Sequence, residues 1–240
     1  MTHLRVSAVA LLAASAFAGA AVAAPAGAQP RPASAGDRLA ATTIDRAAAA
    51  VRNARTVRAA FEQTLNNPAT GNTSTATGEL ALARPNKFAL RFNNAAGDRV
   101  IVDGTTMWVY IPSAVPGQVL KQPARGNAAA SIDALGDLLT APRSRYHASD
   151  AGAATVGGRA TRAVLLTPKA ENSPITTAKV WVDDRNGAVR QIELAEAAGG
   201  VRTLRMTSWE PNARLAADAF TFTVPAGVRV VDRYAMMGGG

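Results

Sequence analysis

Cysteine is absent from all 240 residues, which excludes a disulfide framework, a thiolate nucleophile, a cysteine-bound metal and a lipid-modified cysteine. Histidine is nearly absent as well. Of the two, His3 and His147, only His147 lies beyond the N-terminal stretch, so a histidine metal cluster lacks ligands. Aromatic side chains are 5% of the chain and are not interleaved with basic clusters, which argues against nucleic-acid binding. Long apolar runs are missing: the uncharged run from Val6 to Ala18 is too short for a membrane span, and no second one follows. Acidic residues are in deficit, 17 against 26 Lys and Arg, for a net charge of +9. Charge so scattered predicts weak attraction to acidic protein or membrane surfaces.

What is present begins with an address. In "MTHLRVSAVALLAASAFAGAAVAAPAGAQP", Arg5 precedes the apolar run, and small-x-small sites occur at Ala21-Val22-Ala23 and Ala26-Gly27-Ala28. This pattern reads as a secretory signal peptide over residues 1–28. The expected mature protein is soluble, exported and begins at Ala24 or, preferably, Gln29. Losing Arg5 leaves a net charge of +8, and with no bridges the fold must rely on the apolar core that 48% hydrophobic residues can supply.

Residues 29–37, "QPRPASAGD", read as a flexible mature N-terminus, and 234–240 as a flexible tail. From Leu39 through Ile44, Ala48 and Val51 the apolar spacing predicts a helix on an alanine-rich background. Residues 55–65 are ambiguous: propensity would extend the helix, yet Val57, Ala59, Phe61 and Leu65 share one parity and fit a strand. Two series of short alternating runs follow, 76–122 and 153–209, broken by turns such as "NNAAGD", "VDGTT" and "DDRNG". They predict an antiparallel sheet of roughly ten strands, as a meander. Between them, in "GNAAASIDALGDLLTAP", Ile132, Leu135, Leu138 and Leu139 form the apolar face of a short helix that ends before Pro142. Gly136 weakens it, so it needs something apolar to lie on.

Motifs for chemistry are missing: there is no nucleotide-binding glycine fingerprint and no His/Glu metal spacing. The stretch "RSRYHASD" gathers Ser144, His147, Ser149 and Asp150, but catalytic groups converge from separate elements, and His147 reads as a loop or strand histidine. No enzyme and no cofactor are expected. In "DGTTMWVYIP" Met107, Val109 and Ile111 share one face and Trp108 and Tyr110 the other, which predicts a strand covered on both sides. In "ELALARPNKFALRF" Leu80 and Leu82 share one parity and Phe88, Leu90 and Phe92 another. Pro85 can break that strand unaided, so the guanidinium of Arg84 calls for another reason.

These segments resemble the LolA family of periplasmic outer-membrane lipoprotein carriers. The resemblance rests on "GELALARPNKFALRF", "VDGTTMWVYIP", "VLLTPKA", "VWVDDRNGAVRQIEL" and "AFTFTVPAGVRVVD", in family order. It implies a carrier domain over residues 38–233. The implied fold is mainly β with α, an incomplete, strongly curved antiparallel β-barrel with helices forming a lid over an apolar cavity. It makes residues 55–65 the first strand and about 128–141 a lid. It assigns Arg84 as a latch to the lid's backbone carbonyls, a role suited to a guanidinium facing a helix end.

The implied cavity for acyl chains takes Val51, Leu80, Leu82, Phe88, Leu90, Phe92 and the lid residues Ile132, Leu135, Leu138 and Leu139. The implied function is a monomeric periplasmic chaperone that carries acylated lipoproteins from an inner-membrane release complex to the outer membrane, with or without an outer-membrane acceptor. The alternative is a related envelope lipoprotein sensor or interaction module that regulates a membrane partner.

Overall fold

A computed structural model describes residues 34–124, 138 and 142–232. Helix α1 spans Ala35–Asn53 and starts earlier than its apolar spacing suggests. Ser34 and Asp37 build a capping box: each side chain accepts from the other's backbone N–H at 3.0 Å, satisfying two donors that the first turn would leave free. Ala40, Thr43, Ile44, Ala47 and Ala48 recur at helical spacing and are buried.

The ambiguous stretch that follows is a strand. β1 covers Thr56–Asn67, β2 Asn72–Ala83, β3 Lys87–Phe92, β4 Arg99–Val102, β5 Thr106–Tyr110 and β6 Gln118–Pro123. A single helical turn, α2 (Pro142–Arg145), leads into β7 (Tyr146–Val156), β8 (Arg159–Pro168), β9 (Ile175–Asp183), β10 (Val189–Glu196) and β11 (Val201–Met206). Two short strands, β12 (Glu210–Pro211) and β13 (Arg229–Asp232), complete the described elements.

The strand order is β13-β6-β5-β4-β3-β2-β1-β11-β10-β9-β8-β7, with β12 beside β1. This corrects the expected curved barrel: the sheet is open, ending in β13 on one side and β7 on the other, and it is not closed. It is also mixed, because β13 runs parallel to β6. Closure would require the free edges of β7 and β13 to pair, and both are poor templates. β13 has four residues, and β7 carries a register shift between Asp150 and Ala153; short edges and bulges both blunt strand pairing. Nor is the sheet one meander. Two meanders meet at β1 and β11, where Phe61 lies opposite Met206.

One face of the sheet and α1 form a single apolar cluster that includes Ile44, Ala47, Phe61, Leu80, Val100, Val164, Val180 and Ile192. The other face is covered locally by the C-terminal segment. Phe222 stacks on Trp108 with centroids 5.2 Å apart, and the Arg99 guanidinium lies 5.2 Å from the Phe222 ring centre. The strand at 106–110 is therefore packed on both sides.

Candidate functional site

The register of β2 and β3 decides which sequence-marked residues meet. Leu80 faces Leu90 and Leu82 faces Phe88 across the pair, while Phe92 faces Gly78. Gly78 also faces Phe61 on β1, and the two rings meet edge-to-face, 5.6 Å apart at 89°. A side chain at Gly78 would collide with the Arg91 carbonyl and, at 2.6 Å, with the Phe61 ring. The glycine gives the aromatic pair its room.

Leu80, Leu90 and Leu138 are buried in the shared cluster, and Val51, Leu82, Phe88 and Phe92 pack partly buried against it. Ile132, Leu135 and Leu139 lie outside the described residues, as do the signal-peptide region, the tail and the rest of the expected lid. Sequence reasoning missed much of the same face. Val100, Val102, Leu204 and Met206 line it too; their strand parity was a usable signal, but not which strands would be neighbours.

Arg84 sits at the β2–β3 turn, and the partners described for its guanidinium lie at the end of α1, whereas the expected partner was the lid at about 128–141. Its Nε donates to the Ala54 carbonyl at 3.1 Å and its Nη2 to the Val51 carbonyl at 3.0 Å. These belong to the terminal carbonyls a helix cannot satisfy itself, at its negative end. The same α1 is held elsewhere by Arg46, whose Nη2 donates to the carbonyls of Asp183 at 3.1 Å and Asp184 at 2.9 Å. Two arginines thus tie one helix to two turns of the sheet, one turn in each meander.

Asp183 makes the second turn rigid. Its carboxylate, 1% exposed, accepts from Arg159 Nε at 2.9 Å and from Arg190 at 2.9 Å, and from the Arg185 backbone N–H at 2.9 Å. Burial alone would raise its pKa; the hydrogen bonds from Arg159, the Arg185 backbone and Arg190 outweigh it and hold the carboxyl well below the usual carboxylate range. His147 is exposed on β7. Among the described residues no group of three or more His, Asp or Glu side chains could hold a metal ion. No helix among them is long and apolar enough to cross a membrane.

The chain is similar to known proteins. The outer-membrane lipoprotein carrier protein of Methylibium petroleiphilum is 28% identical over 191 residues, covering 80% of this chain and 90% of its own. That of Dechloromonas aromatica is 30% identical over 183 residues, 75% of this chain and 83% of its own. An uncharacterized conserved protein from Thermus thermophilus shares the fold at a TM-score of 0.53 and 10% identity, covering 81% of this chain and 99% of that one. The family model described as outer membrane lipoprotein carrier protein LolA matches residues 52–223. By that match the chain belongs to the LolA family of lipoprotein-handling proteins, periplasmic and non-catalytic.

Proposed function

We propose that the protein is a periplasmic carrier that shields the acyl chains of lipoproteins between an inner-membrane release complex and the outer membrane. The observation that carries this reading is that Leu80, Leu82, Phe88, Leu90 and Phe92 gather with Val51 of α1 and with Leu138 in one apolar cluster. The last turn of α1, which brings Val51 to that cluster, is held at its carbonyl end by two hydrogen bonds from Arg84, and lifting that turn would leave the sheet intact.

Energetics favour a face that is already closed on itself. At about 0.8 kcal/mol per methylene, a chain of about sixteen carbons has roughly 12 kcal/mol of transfer free energy, and three such chains exceed any workable affinity. If cargo replaces apolar contacts that the empty protein already makes, only the difference between the two burials favours binding. Release stays within reach, and Arg84, as a latch on α1, adds to the stability of the empty closed state.

The test is photocrosslinking. A photoreactive residue in place of Phe88 is expected to capture an acylated lipoprotein, and one in place of Arg91, on the opposite face of the same strand, is not. Equal capture at the two positions would defeat the proposal.

A further inference from the structure

Across the first meander one row of side chains runs Val57, Leu82, Phe88, Val102, Met107 and Gln122, each directly opposite the next. Five are apolar. The row ends in an amide, and Gln122 is only 2% exposed. Its Nε2 donates to the Met107 thioether at 3.1 Å, a weak acceptor, and its Oε1 has no hydrogen-bond partner among the described residues. A buried acceptor left unpaired is costly, and a leucine would fill the same volume without that cost. At β2 and β3 the row lies one pair from the turn that carries Arg84.

We infer that Gln122 reads the polar linkage of the bound acyl chain and selects a secondary amide, an N-acylated amine, over an ester or bare hydrocarbon. This rests on the carrier reading and specifies its ligand. A secondary amide supplies what the side chain lacks on both sides: its N–H donates to Oε1 and its carbonyl accepts from Nε2. An ester offers only the acceptor. The chain beyond the amide then lies along the apolar row toward Phe88 and Leu82.

The experiment compares N-propyldodecanamide with its isosteric ester, propyl dodecanoate, as competitors of a fluorescent fatty-acyl probe, on the wild type and on Gln122→Leu. The ester-to-amide ratio of dissociation constants is expected to fall by about tenfold in the variant, the loss of roughly one hydrogen bond beyond the Nε2 bond that both ligands lose. If Gln122→Leu does not fold by circular dichroism, Gln122→Met takes its place. An unchanged ratio with both ligands still bound would overturn the role of Gln122 and leave the carrier reading standing. Failure of the wild type to bind either ligand would overturn both.

Discussion

Replacing Arg84 by leucine removes two hydrogen bonds, to Val51 and Ala54 at 3.0 and 3.1 Å, and the charge at the negative end of α1. Bonds from a charged donor contribute about 1.5 to 3 kcal/mol each when desolvated. Arg84 is largely exposed, so water can replace part of each, and about 1 kcal/mol apiece is the better figure. With a small dipole contribution the total is about 2 kcal/mol, or roughly thirtyfold in the equilibrium for lifting the last turn of α1. The rest of the helix should stay down, because Ile44 and Ala47 are fully buried and Arg46 keeps its own carbonyl partners. The β2–β3 turn should also survive, since the Arg84 backbone N–H still donates to the Arg55 carbonyl at 3.0 Å.

Hydrogen exchange is the direct assay: amides around 51–55 are expected to exchange about thirtyfold faster while the strands are unchanged. In a transfer assay, Arg84→Leu loaded with a lipoprotein should retain it, because reclosure of α1 no longer competes as well with the cargo. Far-UV circular dichroism controls for folding. Normal unloading together with unchanged exchange at 51–55 would refute the latch and leave Arg84 as an arginine at a solvated turn.

Two further predictions concern stability. Asp183→Asn leaves Arg159 and Arg190 facing an uncharged partner in a buried network; it should cost about 2 to 4 kcal/mol and lower Tm by roughly 5 to 10 °C. Because the folded pKa of Asp183 is depressed, its contribution is complete above about pH 4 and is lost as pH falls through the folded value. Thermal melts of the wild type should therefore show an acid-side decline below about pH 4 that the Asn variant shows less steeply. Gly78→Ala forces a methyl group against the Phe61 ring and the Arg91 backbone; a loss of about 1 to 3 kcal/mol is expected. A calorimetric Tm equal to wild type would mean that β2 and β3 part without strain.

The two faces of the β2–β3 pair were legible in the sequence because strand parity is local. Once "ELALARPNKFALRF" is taken as a hairpin, Leu80, Leu82, Phe88, Leu90 and Phe92 fall where their neighbours put them. The helix was legible for the same reason, though its start was not, since a capping box is a matter of two side chains, Ser34 and Asp37, and not of apolar period. Arg84 stood out because proline already explained the turn.

The sequence alone determined most of the elements, their faces and the absence of cysteine chemistry, because these depend on residues a few positions apart, whereas residues 55–65 fitted helix or strand until the structure placed them in β1. Only the tertiary structure decided which strands are neighbours. Phe61 meets Met206 across more than half the length of the chain, and no pattern along the chain encodes that choice, which depends on long-range packing within the apolar cluster that residues of both meanders and α1 share. The open sheet follows from the same kind of choice. A four-residue β13 laid parallel to β6 and a register-shifted β7 leave two edges that do not pair. Closure is a property of edges brought together in space, and the sequence of neither edge states what the other will do.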